Sequence, residues 1–228
     1  GDDVPLAARR VRMSCVAIDA RTGATRFVAD APTAVDSIEV SPDGAWLVFT
    51  TEGGGGAGIY VYSLANKASP TFLASSPNSL HTGALATIGG KLYAFTAKNP
   101  SSPALVIYDL SAAASGTITP VGTYAIPPYY GIHDTFVRDG LAFVFAWDEG
   151  VFVLDVGDGR AGGSPSNPVL IKQLGTPQAG GGGTPRFGGQ THNGWWYHSP
   201  TGEKKYLFLG EEGPGIVGSA SSGDIHVV

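Results

Sequence analysis

The sequence is poor in cysteine and in charge. Its 228 residues include one cysteine, Cys15, so no disulfide can form within the chain. Charged residues make up 14% of the sequence, well below the ~25% that is typical of globular domains. The net charge is −5 and the longest basic cluster is Arg9, Arg10 and Arg12. We therefore expect no nucleic-acid partner.

Long apolar runs and helical periodicity are also missing. No run approaches the ~18 apolar residues of a membrane-spanning helix, so we expect no transmembrane segment. Glycine and proline, by contrast, are abundant, with 34 and 16 residues. They fall between short runs rich in Val, Ile, Tyr, Phe and Thr, as turns fall between strands. This pattern predicts an all-β chain.

One sequence pattern occurs in four copies along the chain. Its clearest copy, residues 131–155, reads as a strand, a tight Asp139-Gly140 turn, a second strand, an acidic turn and a third strand. His81 and His133 open two copies 52 residues apart (133 − 81), and His192 opens another 59 residues later (192 − 133). Fourth strands are predicted at PTFLAS, ITPVGTY and VLIKQLG. Repeats of this length and content predict a β-propeller of four-stranded antiparallel blades.

The repeat also divides the chain. We predict one propeller domain over residues 1–228, with blades at 32–79, 80–128 and 129–184, an incomplete blade at 185–228 and a partial blade at 1–31. About four to five blades are present, and both ends fall inside a blade. The chain is therefore expected to be a fragment of a larger propeller, with a ring closed by its own terminal strands as the alternative.

The repeats resemble those of LVIVD-repeat propeller proteins over roughly residues 32–228. The likeness rests on the openings His133-Asp134 and His192-Asn193, on the turn AWDEG at 146–150, and on the strands VFVLDV and VIYDL. The first copy departs from the pattern, since it has no histidine. The resemblance implies a propeller fold and an extracytoplasmic location: periplasm, cell surface or secreted. A more distant similarity, in histidine placement alone, is to selenium-binding-protein-like propellers, whose channel histidines bind metal.

The repeated histidines are the candidate metal ligands. Each opens an innermost strand, so His81, His133 and His192 should lie at one rim of the central channel, with Ser37 in the same place in the first copy. One interpretation is a divalent copper, zinc or iron site. The other is structural: each histidine ties its strand to a neighbouring backbone carbonyl or to the acidic turn beside it.

Acidic and aromatic residues in the turns form a candidate binding face. Because the second strand ends where the first begins, these turns should project at the same rim. Trp147 is expected at an exposed turn, as a contact for a partner. The predicted face consists of Glu52, Trp147, Asp148, Glu149, Glu211 and Glu212.

Two functions follow from these features. The leading one is a non-enzymatic extracytoplasmic module for protein–protein or surface interaction, alone or as a subunit of a larger assembly. The alternative is a metal-dependent oxidoreductase with the histidine-lined site at the channel rim. No cofactor is assigned beyond that possible metal ion.

Overall fold

The computed structural model describes residues 34–99, 101–126, 131–147, 149–157, 159–175, 190–213 and 223–228, and the backbone of 13–18 and 25–31. In these residues the chain is built of strands, with one 3₁₀ turn at Ala113–Ser115. None of their helical segments is long and apolar enough to span a membrane. The all-β prediction is confirmed.

The strands form five antiparallel sheets in chain order. A two-stranded sheet pairs β1 (Met13–Ile18) with β2 (Thr25–Ala31). The first four-stranded sheet contains β3 (Val35–Val40), β4 (Trp46–Thr51), β5 (Gly58–Ser63) and β6 (Thr71–Pro77). The second contains β7 (Leu80–Ile88), β8 (Lys91–Lys98), β9 (Ala104–Asp109) and β10 (Thr119–Ala125).

Two further sheets follow in the described residues. The third four-stranded sheet contains β11 (Asp134–Arg138), β12 (Leu141–Phe145), β13 (Val151–Asp155) and β14 (Val169–Leu174). The last sheet has three strands, β15 (Thr191–Trp196), β16 (Leu207–Glu211) and β17 (Ile225–Val227). The three predicted fourth strands are β6, β10 and β14, so their predictions are confirmed.

Tight turns join the first two strands of the second and third four-stranded sheets. Between β11 and β12, Asp139 and Gly140 have φ of 50° and 73°, the paired positive values of a type I′ turn. Gly89 and Gly90 repeat this geometry between β7 and β8, with φ of 57° and 80°. The turn chemistry thus sets the hairpin register that brings β8 and β12 back to the rim.

Neighbouring sheets pack face to face. In β12, Ala142 and Val144 face the preceding sheet, where they contact a cluster that includes Phe95. Leu141 and Phe143 face the last sheet, where they meet Leu207. Because both faces of β12 are covered, the whole strand is buried, which explains its continuous apolar sequence.

The innermost strands β3, β7, β11 and β15 lie side by side, each the first strand of its sheet. Sheets of this kind arranged about their first strands form a propeller-like architecture. The ends of the four strands therefore lie at one common rim, which positions the candidate site.

Candidate metal centre

Local irregularities in the inner strands place the rim side chains. The β3–β4 register shifts between Val35 and Ser37, the β7–β8 register between Leu80 and Gly83, and the β15–β16 register between Thr191 and Asn193. Such β-bulges re-aim side chains at the edges of sheets. The shifted segments carry Asp36, His81 and His192, while His133 directly precedes β11.

The first copy contributes Asp36 rather than Ser37 to this row. Ser37 was predicted at the histidine position, but it pairs with Thr50, beyond the bulge. Its hydroxyl lies 3.5 Å from the carbonyl oxygen of Gly83. Asp36 occupies the bulge, and its carboxylate accepts the backbone N–H of Glu52 at 2.6 Å. Aligning Val35-Asp36 with Leu80-His81 and Thr191-His192 was the sequence signal for this residue.

The structure brings the three predicted histidines into contact. The ring centroids of His81 and His133 are 4.8 Å apart, with the rings edge to face. Those of His133 and His192 are 3.4 Å apart, with the rings stacked. The inner strands are therefore close enough for imidazoles of different sheets to share one ligand.

His133 has a defined protonation state. Burial, and then the nearby His192 and His81, lower its pKa to about 3, so the ring is neutral at physiological pH. Its Nδ1 lies 3.0 Å from the carbonyl oxygen of His192. Since a carbonyl only accepts, Nδ1 must carry the proton, and Nε2 keeps a free lone pair. A backbone carbonyl commonly orients metal-bound histidines in this way.

Glu212 completes a three-residue cluster. Its Oε2 lies 3.6 Å from Nε2 of His192 and its side chain is 11% exposed. One potential ligand atom each from His133, His192 and Glu212 lies within 4.8 Å of the others. Ligands of a tetrahedral metal, each at about 2.1 Å, are about 3.4 Å apart. An inward movement of about an ångström would give that geometry.

Trp147 supports Glu212 instead of forming an exposed contact. The prediction of an exposed Trp147 is wrong: the residue is 7% exposed, because its backbone pairs with Thr191 of the next sheet. Its indole Nε1 donates to Oε2 of Glu212 at 2.7 Å. Its φ of 44° is strained for a bulky side chain, and backbone strain of this kind is concentrated at functional sites.

The other residues of the predicted binding face divide into three groups. Glu52 is partly exposed and faces His81. Glu149 and Glu211 were expected to project from turns, but they are 3% and 9% exposed, because neighbouring strands cover them. Glu211 lies within β16, where Oε1 is 2.5 Å from Nε2 of His226. Asp148 lies outside the described residues.

The contacts also bear on the structural interpretation of the histidines. His133 makes the expected bond to a backbone carbonyl. His81 and His192 face the carboxylates of Glu52 and Glu212, at 3.0 and 3.6 Å, which are the contacts with acidic turns that the structural interpretation also expects. The carbonyl oxygens of His81 and His133 accept hydrogen bonds from the hydroxyls of Thr50 and Thr82, so threonines already join neighbouring sheets at this rim. The three contacts therefore fit the structural interpretation, and the convergence of the side chains is what also favours a metal site.

Comparison with known proteins gives fold relatives only. No protein-family model and no curated protein matches the chain. A functionally unknown protein from Desulfotomaculum acetoxidans matches with a TM-score of 0.57 and 14% identity, over 93% of this chain and 61% of that one. Hydrazine synthase from Kuenenia stuttgartiensis matches with a TM-score of 0.59 and 14% identity, over 88% and 56%. The chain spans less than two thirds of both, and at this identity the similarity concerns the fold alone.

Proposed function

We propose that the channel rim binds a divalent transition-metal ion through His133, His192 and Glu212. The observation that carries this proposal is the convergence of two imidazoles and one carboxylate within 4.8 Å. The neutral state of His133 supports it, because a metal ligand must have a free lone pair at neutral pH.

The donor set narrows the choice of metal. Imidazole nitrogen with one carboxylate suits zinc, copper and iron, whereas calcium and magnesium prefer oxygen ligands alone. Three protein ligands leave at least one coordination position for water or a substrate, as in catalytic sites. A metal-dependent oxidoreductase is the narrower version of this proposal, and it requires a redox-active ion such as copper or iron.

Metal titration with matched histidine variants tests the proposal. The chelator-treated protein is titrated with Zn²⁺ by calorimetry and with Co²⁺ by visible absorption. His192→Gln should lose high-affinity binding, with unchanged far-ultraviolet circular dichroism. His198→Gln is the control, since His198 packs on Trp196 and lies near Asp139, not in the cluster. Absence of binding tighter than about 10 μM, or equal losses in the two variants, would overturn the proposal.

A second candidate function is favoured by the outer face of the last sheet. Trp195, Phe208, Ile225 and Val227 lie on one face of this sheet, since Trp195 and Val227 both pair with Phe208. All four are exposed, Ile225 by 77%. An apolar patch of this kind is typical of an interaction surface. We propose that it packs against a further blade of a larger, extracytoplasmic propeller of the LVIVD-repeat type, which acts as an interaction module.

Association of the isolated chain tests this second candidate. With the face uncovered, the chain should self-associate, and Ile225→Lys should lower the mass measured by light scattering. A protein that is monomeric with and without the substitution would argue against an interaction surface on the last sheet.

A further inference from the structure

The other half of the rim carries an arrangement that the first metal site does not use. Nδ1 of His81 lies 3.0 Å from Oε2 of Glu52, and the cluster of His133, His192 and Glu212 includes neither residue. Resting on the proposed metal function of this rim, we infer that His81 and Glu52, with Asp36 beside them, form a second transition-metal site adjacent to the first.

The two facing atoms lie within ion-pair distance of each other but lack the hydrogen bonds that buried polar atoms normally have. Within the described part of the chain, neither Nδ1 of His81 nor Oε2 of Glu52 has a hydrogen bond, and both atoms are buried. Their 3.0 Å separation is within hydrogen-bonding distance, but the two atoms are not aligned for a hydrogen bond. Buried polar atoms without a hydrogen bond cost free energy, and a bound cation would satisfy both at once.

Asp36 adds negative charge and fixes the position of Glu52. Its Oδ2 accepts the backbone N–H of Glu52 at 2.6 Å, which holds the turn that presents the Glu52 side chain. The bulge in β3 places Asp36 in the row with His81. The same carboxylate is close enough to His81 for the two to interact electrostatically. Nitrogen and carboxylate donors therefore meet here as they do around His192 and Glu212.

The carboxylates at this rim provide enough negative charge for two ions. The His81 and His133 rings are 4.8 Å apart, so two ions bound in the two halves would lie close together. Two-metal sites with ions ~3.5–4 Å apart are common, and carboxylates offset the repulsion between the ions. Glu212 supplies one negative charge on one side, and Asp36 and Glu52 supply two on the other.

Counting bound metal in four proteins tests the second site. The tag-free wild type, Glu52→Gln, His192→Gln and a control, Glu203→Gln, are loaded with Zn²⁺, passed through a desalting column and analysed for zinc. Glu203 is a suitable control, since it lies in an exposed turn beside Lys205. We expect two equivalents in the wild type and in Glu203→Gln, and one each in Glu52→Gln and His192→Gln. Co²⁺ absorption should show two spectrally distinct species in the wild type.

The possible failures are distinguishable. One equivalent in the wild type, retained in Glu52→Gln and lost in His192→Gln, would overturn the second site and leave the first standing. One equivalent lost in both variants would mean a single ion bound by both halves, which also overturns the second site. No bound zinc in the wild type would overturn both proposals.

Discussion

The two halves of the rim are built from the same repeat but are braced differently. On one side, the indole of Trp147 donates to Glu212, and Nδ1 of His133 is held by a backbone carbonyl. On the other side, His81 and Glu52 face each other with buried atoms that have no hydrogen bond in the described residues. Hydrogen bonds within the protein hold the side chains of the first half, and the second half depends on a ligand to satisfy its polar atoms. Affinity should follow this difference, because pre-organised sites bind more tightly.

The largest expected effect is a difference in the free energy of unfolding between alanine substitutions at two glycines that occupy the same position in the repeat. Gly83 and Gly194 each lie two residues after a rim histidine. A Cβ on Gly194 would be 2.6 Å from the backbone oxygen of Phe208 and 2.6 Å from the Phe145 ring. A Cβ on Gly83 would meet nothing nearer than the methyl groups of Thr50 and Thr96 at 3.4 Å. Gly194→Ala should therefore lower the free energy of unfolding by about 2–3 kcal/mol.

Gly83→Ala is the matched substitution, and it should change that free energy by at most about 1 kcal/mol in either direction. Urea unfolding of both variants, followed by tryptophan fluorescence, gives the comparison. Equal losses would mean that the two halves of the rim are packed alike, contrary to the structure.

The sequence predicted the strands and turns well, because both depend on local patterns. A type I′ hairpin turn requires positive φ at both central residues, and an Asp-Gly pair such as Asp139-Gly140 adopts these values readily. The alternating contacts of β12 explain why a continuous apolar run indicated a strand covered on both faces. The histidine spacing likewise indicated a shared rim, since equivalent residues of successive repeats occupy equivalent positions.

The parts that were missed depend on register and on neighbouring sheets. Asp36 was overlooked because the first copy has no histidine, and a bulge shifts the pairing by one residue. Trp147 was expected to be exposed because its own turn is polar, but Thr191, 44 residues later, covers it. Burial that arises between distant segments cannot be read from a local turn signal.

The second prediction concerns the hydrogen bond from Trp147 that holds the carboxylate of Glu212. Trp147→Phe keeps a smaller aromatic side chain but removes the indole N–H that donates to Oε2 of Glu212. Loss of such a supporting bond typically lowers metal affinity tenfold to a hundredfold, and we expect a loss in this range. The measurement is competition for Zn²⁺ with a chromophoric chelator. Trp195→Phe serves as the control, since Trp195 is exposed on the outer face of the last sheet. Unchanged zinc affinity in Trp147→Phe would show that the hydrogen bond from Trp147 does not support Glu212 as a ligand.

The smallest effect concerns the pH dependence of stability in the metal-free protein. The pKa of His133 is about 3 in the folded state and ~6.5 in the unfolded chain. Between these values the unfolded state binds the extra proton, so stability falls as pH is lowered from about 6.5 towards 3. The largest possible slope from one group is about 1.4 kcal/mol per pH unit, and partial exposure should reduce it to about 1 or less.

His133→Gln isolates this contribution from that of the neighbouring acids. Burial raises the pKa of Asp134 and of Glu39, so protonation of these carboxyls favours the folded state and opposes the effect of His133 at low pH. Both carboxyls remain in the variant, and the difference between the two proteins therefore reports His133. Unfolding in urea at pH 7, 6 and 5 should show a shallower loss of stability in His133→Gln. The nuclear magnetic resonance signal of the His133 ring can be assigned by its absence from the variant. It should not shift between pH 7 and pH 5. A titration midpoint near pH 6.5 would mean that the stacked imidazoles are not buried as the structure shows.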